Sequence, residues 1–188
     1  MMTIKIGING LGRIGRMIIR SIIENNYKDI DIKHINNRSN LDIVANLLKY
    51  DSIHGKFNCD IKSDKNHLIL NGKKISYSQR TNIEEINWKK SKVDYVLECT
   101  GKFNSKEKLL PHLKNGAKKV IVSAPCKKSD KMIVYGVNEK MLEKKDNIIS
   151  AASCTTNCLA PVLDVLHNNF AVSKGFMTTI HAYTSDQR

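Results

Sequence analysis

The sequence predicts an α/β fold, a doubly wound and mostly parallel sheet with a hairpin insertion, and three observations predict it. Residues 3–9 alternate in polarity with Ile4, Ile6 and Ile8 on one side. They run into Gly10-Leu11-Gly12-Arg13-Ile14-Gly15 and then into 16–25, where Met17, Ile18, Ser21 and Ile22 recur at helical spacing. Asn71-Gly72 stands between the apolar runs Leu68-Ile69-Leu70 and Lys73-Lys74-Ile75, the signal of a two-residue type I′ hairpin turn. Residues 94–100 are largely apolar, as in a strand buried on both faces of a parallel sheet.

The remaining elements follow in order. Residues 30–35 read as the second strand and 41–50 as the second helix, completing a βαβ unit. Residues 56–62 and 67–78 read as short strands of the insertion. After Gly101 a helix over 105–115 is stopped by Gly116. Val120-Ile121-Val122-Ser123 is the next strand, broken by Ala124-Pro125. Strands over 131–137 and 148–151 complete the sheet. Residues 1–152 therefore read as one Rossmann-like domain. A helix from Cys154 to Phe170 and a strand over 175–181 open a second, α+β unit over 153–188. One helix and one strand cannot close a core, so this unit reads as truncated.

Composition excludes several classes. The 188 residues suffice for a real core, and 41% hydrophobic with 26% charged content is ordinary for a globular protein. No apolar run approaches the ~20 residues of a membrane span. The N-terminus lacks the apolar segment of a signal peptide, so a cytoplasmic location is expected. Five cysteines, an odd number without secretory context, point to reduced thiols. Cys154 and Cys158 would share a helix face, but no other Cys/His pair at ligand spacing accompanies them, so no metal site is expected. The net charge of +13 is spread over scattered lysine pairs with few aromatics between them. That pattern fits a basic surface handling phosphorylated molecules better than a nucleic-acid module.

The glycine turn has the context that a dinucleotide fingerprint requires, directly between a strand and a helix. Gly10 allows the tight turn, Gly12 lets backbone approach a pyrophosphate, and Gly15 permits close helix–strand packing. An NAD(P)-binding domain follows. The acidic residue expected about 20 residues on, to hold the ribose 2′-hydroxyl, is absent, and Asn36-Asn37-Arg38 stands there. Two readings result. Arg38 pairs with a 2′-phosphate and NADP is used, or Asn37 bonds the hydroxyl as an amide, Arg38 faces solvent and NAD is used.

Ser153-Cys154-Thr155-Thr156-Asn157-Cys158 places a thiol among small polar residues at a predicted helix start. Free backbone N–H groups there favour negative charge, so Cys154 should ionise below the ~8.5 of a free thiol and act as a nucleophile.

Beyond these single motifs, the chain resembles phosphorylating glyceraldehyde-3-phosphate dehydrogenases along its whole length. The resemblance rests on residues 8–16, Leu47-Leu48-Lys49-Tyr50-Asp51-Ser52, Glu98-Cys99-Thr100-Gly101, Ser123-Ala124-Pro125, Tyr135-Gly136-Val137-Asn138, residues 151–161, and Thr178-Thr179-Ile180-His181-Ala182-Tyr183-Thr184. It implies that Cys154 is the nucleophile and His181 its base. It implies that Ser153, Thr155 and Thr184 hold the phosphate of glyceraldehyde 3-phosphate or inorganic phosphate. Arg13, Ile14, Arg80, Thr100 and Ser123 match cofactor-contacting positions, and Asn37 replaces the family's usual aspartate. The implied activity is a glycolytic or gluconeogenic oxidoreductase, a homotetramer at full length, making 1,3-bisphosphoglycerate through a thiohemiacetal and a thioester. Family members are longer, so the 188-residue chain alone is expected to be inactive and poorly folded beyond residue 150. Two rival readings are an erythrose-4-phosphate dehydrogenase, disfavoured by Thr184, and a truncated nucleotide- or RNA-binding fragment.

Overall fold

The computed structural model describes residues 3–184. Met1, Met2 and residues 185–188, at the start of the loop that the resemblance assigns to subunit and cofactor contacts, lie outside the described residues. Eleven strands and four α-helices follow one another as β1 (Ile4–Asn9), α1 (Arg13–Glu24), β2 (Ile30–Asn36), α2 (Leu41–Lys49), β3 (Tyr50–Asp51), β4 (Gly55–Lys56), β5 (Ile61–Ser63), β6 (His67–Leu70), β7 (Lys73–Ser78), β8 (Tyr95–Glu98), α3 (Lys106–Lys114), β9 (Lys119–Val122), β10 (Lys131–Met132), β11 (Ile148–Ser150) and α4 (Cys154–Phe170). Nine strands form one sheet in the order β10-β11-β9-β8-β1-β2-β7-β6-β5. β1 is parallel to both β2 and β8, and β2 is parallel to β7. From β1 the chain winds outward to β7, then returns to β8 on the other side, so the winding reverses between β1 and β8. This is the Rossmann-like α/β arrangement predicted.

Apolar residues fill both faces. Ile6, Ile8, Ile19, Ile32, Ile35, Val44, Leu48 and Phe57 form one buried cluster under α1 and α2. Trp88, Val93, Val96, Leu109, Val120, Val122 and Ile148 form the other, beneath α3. Gly7 faces the second cluster, and a Cβ there would lie 2.5 Å from the Trp88 ring, so the indole occupies the space a side chain would need. The hairpin insertion forms as predicted. β6 and β7 pair antiparallel, and Asn71 and Gly72 take φ of 48° and 79°, the two positive values a type I′ turn demands.

Three predicted strands need correction. Residues 56–62 are not continuous, because the Phe57 N–H donates to the Lys49 carbonyl (2.8 Å) and its ring is fully buried, pulling the chain off the strand path. Strand 131–137 ends at Met132. Beyond it Asn138 Oδ1 takes the Val134 N–H, and the Val137 and Asn138 N–H groups both donate to the Val134 carbonyl, closing a turn. Residues 175–181 form no strand, since no described strand lies beside them to complete a ladder. The helix α4 itself is continuous for 17 residues, with no buried side chain.

Candidate active site and nucleotide cleft

Parallel β1, β8, β9 and β11 end on one edge of the sheet, so the segments after them gather there. After β1, Gly10 has φ +94°, and a Cβ on it would lie 2.9 Å from the Thr100 backbone nitrogen. A Cβ on Gly15 would lie 2.1 Å from the Gly10 carbonyl oxygen. Gly12 differs, because nothing stands within 4 Å of the place a Cβ would take. That open side faces the start of α1, which no side chain caps. An uncapped helix N-terminus beside a bare Cα is a cradle for a diphosphate.

A cleft runs from this turn between the ends of β2 and β8. Gly10, Gly12, Asn37, Arg38, Arg80 and Thr100 line it. Asn37 Oδ1 accepts the Leu11 N–H (3.0 Å), tying the end of β2 to the glycine turn. Arg80 is held by its backbone, whose N–H donates to Asn36 Oδ1 (2.8 Å), while its guanidinium lies 3.6 Å from Glu85 in a mostly exposed pair. Arg13 and Ile14 stand in the first turn of α1, and Ile14 is half-exposed. The Arg13 guanidinium pairs with Asp51 at 3.1 Å. Backbone N–H groups of His54 and Ile53, and then Arg13, hold the Asp51 carboxyl well below the usual carboxylate range. Ser123 follows β9 and is not among the residues lining the cleft. Its N–H donates to the Glu98 carbonyl.

β11 delivers the chain to the thiol. Ala152, at φ +59°, turns it into α4. Ser153 caps that helix, its Oγ accepting the Thr156 N–H at 3.0 Å. Asn157 Nδ2 reaches back to the Ala151 and Ser153 carbonyls. Cys154 is therefore the first helical residue, where the helix dipole favours an anion. Its Sγ lies 3.2 Å from His181 Nε2 and 4.0 Å from Thr155 Oγ1. His181 Nδ1 contacts the Ala182 carbonyl, which can only accept, so Nδ1 carries the proton and Nε2 is left to take the thiol's. The hydrogen bond to His181, and then that to Thr155, lowers the Cys154 thiol below its ordinary value. The Ala182 carbonyl, and then the sulfur, raises His181 above its own. Both shifts favour a thiolate–imidazolium pair. Three buried thiols contrast with it. Cys59, Cys99 and Cys126 are buried, and desolvation raises all three, Cys99 to about 12. Thr184 is exposed, three residues after His181.

The structure thus brings Cys154, His181, Ser153 and Thr155 to one place, and Gly10, Gly12, Asn37, Arg38, Arg80 and Thr100 to another on the same edge. Sequence reasoning missed Asn9, Asn36 and Glu98, all buried where the strands end. His112 is fully buried as well. The available signal was Glu98 itself, a carboxylate closing an apolar strand.

Comparison with known proteins bears on both places. Residues 4–106 match the family model for the NAD binding domain of glyceraldehyde 3-phosphate dehydrogenase, and residues 153–188 match that for its C-terminal domain. Glyceraldehyde-3-phosphate dehydrogenase from Cereibacter sphaeroides is 47% identical over 99% of this chain and 55% of the relative. Those from Geobacillus stearothermophilus and Mycoplasma pneumoniae are each 46% identical, over 100% and 99% of this chain and 56% and 55% of the relatives. The chain spans about half the length of the curated relatives it matches.

Proposed function

This chain belongs to the glyceraldehyde-3-phosphate dehydrogenase family, and on that premise we propose that it carries the nucleophile, the base and the dinucleotide cleft of an enzyme that oxidises and phosphorylates glyceraldehyde 3-phosphate. The observation that carries the proposal is the 3.2 Å approach of His181 Nε2 to Cys154 Sγ at the capped start of α4. We place the division between cofactor and catalytic domains at residues 152 and 153, where β11 has ended and α4 begins.

The residue chemistry accounts for each step. Cys154 thiolate attacks the aldehyde carbon, the protonated His181 Nε2 gives its proton to the oxyanion so formed, and the neutral Nε2 then takes the thiohemiacetal hydroxyl's proton as hydride leaves. NAD, when bound, supplies the acceptor for the hydride that leaves the same carbon. The carbon is left as a thioester of Cys154. Inorganic phosphate then attacks that thioester, the C–S bond breaks, and Cys154 leaves as thiolate with an acyl phosphate as product. Ser153, Thr155 and Thr184 are proposed to hold phosphate beside the thiol. The open cradle at Gly12 fits the pyrophosphate of the cofactor, with Arg13 steadied over the turn by Asp51.

NADP is proposed as a second cofactor. Asn37 carries no charge to repel a 2′-phosphate, and Arg38 and Arg80 both line the cleft at that end. Titration should give dissociation constants for NAD and NADP within about tenfold of each other, with Arg38→Ala weakening NADP alone. An unaltered NADP affinity in that variant refutes the pairing.

Iodoacetamide labelling against pH tests the thiol. Cys154 is expected to react with a midpoint below the ~8.5 of a free thiol. His181→Gln should move the midpoint upward and slow labelling at pH 7. An unshifted midpoint in His181→Gln would remove the base from the scheme.

A further inference from the structure

We infer that Glu98 and His112 are positioning residues for the dinucleotide cleft, acting through Thr100 and Asn9; this rests on the nucleotide reading of that cleft. Glu98 is 1% exposed, and His112 and Trp88 are fully buried. A buried carboxylate is costly unless its lone pairs are filled. Four donors fill them. Asn9 Nδ2 (2.6 Å) and His112 Nε2 (3.0 Å) donate to one oxygen, and the Thr100 N–H (2.8 Å) and Thr100 Oγ1 donate to the other. The direction of the chain is set from behind the sheet. Trp88 Nε1 can only donate, and it lies 2.8 Å from His112 Nδ1. Nδ1 is therefore the acceptor, and the ring proton sits on Nε2, aimed at Glu98.

The consequence reaches the cleft. The single proton of the Thr100 hydroxyl is committed to Glu98, and Lys102 N–H (3.1 Å) takes one of its lone pairs. What Thr100 Oγ1 has left for a ligand is an acceptor, so the nucleotide group that meets it is a donor, a hydroxyl or an amino group. Asn9 is held at both ends of its amide. Its Nδ2 goes to Glu98 and its Oδ1 accepts from Asn36 Nδ2 (2.9 Å). Asn36 Oδ1 in turn accepts the Arg80 N–H (2.8 Å). One line of hydrogen bonds thus joins Trp88, outside the cleft, to Arg80 at its rim.

The test is NAD titration of the 188-residue chain by calorimetry, and by the indole N–H resonance of Trp88, the sole tryptophan. Wild type should bind NAD, and binding should shift that remote resonance. Glu98→Gln presents an amide donor to a ring of donors. It should weaken NAD at least tenfold and abolish the indole shift. Thr100→Val should weaken NAD comparably, Thr100→Ser should not, and the double variant Glu98→Gln/Thr100→Val should lose no more than either alone. Unchanged affinity in Glu98→Gln, or losses that add in the double variant, overturns the inference while leaving the nucleotide reading intact. If Glu98→Gln fails to fold, the wild-type indole titration and the Ser/Val comparison decide. An unmoved resonance, or equal affinities for Ser and Val, overturns it. Wild-type protein that binds neither NAD nor NADP sinks the nucleotide reading and the inference with it.

Discussion

Cys154 differs from the other cysteines by position rather than by identity. Exposure, a capped helix start and an imidazole at 3.2 Å act in the same direction on its thiol. Cys59, Cys99 and Cys126 have burial acting in the other direction. Mass spectrometry after brief alkylation of folded protein at pH 7 should find Cys154 modified first, with these three unmodified. His34 carries a second residue-scale prediction. Burial pushes its imidazole down to about 4 from an ordinary 6.5. Above pH 6.5 it is neutral in folded and unfolded chains alike. As pH falls from 6.5 towards 4, the unfolded chain takes up a proton that the folded one refuses. The stability lost over that window reaches up to about 3 kcal/mol. Thermal melts from pH 7 to 4 should show the decline, and His34→Gln should flatten it. An equal slope in the variant would assign the acid sensitivity elsewhere.

At the scale of elements, Arg20 joins α1 to the short hairpin of β3 and β4. It is 2% exposed and, among the described residues, has no carboxylate partner. Its guanidinium donates to the carbonyls of Leu48 (3.1 Å), Lys49 (3.2 Å) and Gly55 (2.8 Å), over the Phe57 ring. That bracing positions Asp51, and through it Arg13 beside the glycine turn. Arg20→Met leaves these carbonyls without their donor and should cost about 3 kcal/mol. That corresponds to a drop in Tm of roughly 6–12 °C for a domain of this size. A change under about 2 °C would show that the loop holds itself. The βαβ unit, the Asn71-Gly72 hairpin and the strand over 94–100 were legible because each rests on local signals, namely periodicity, glycine and turn chemistry. Arg20 was not. An arginine on the apolar side of a helix reads as a solvated charge until the carbonyls that receive it are brought near by β3 and β4.

Over the whole molecule the two parts of the chain differ in how they are held. The sheet has a buried cluster on each face, whereas α4 buries no side chain and leaves Val162, Val165 and Phe170 more than half exposed. A helix without tertiary packing is marginal at this length. Amide exchange of the purified chain should be at least tenfold faster in α4 than in β1 and β8, and comparable protection would contradict this description. The α/β class, the glycine turn, the hairpin and the identity of the thiol at a helix start can be read from residues alone, because these depend on neighbours a few residues away. The folded chain alone reveals that Glu98 lies beneath Thr100, that Trp88 orients His112 towards it, and that His181 meets Cys154 across 27 residues. Thr100 is only two residues from Glu98, but Trp88 and His112 are 24 residues apart and Cys154 and His181 27, and only the fold brings those pairs together. No local pattern of residues encodes their distance.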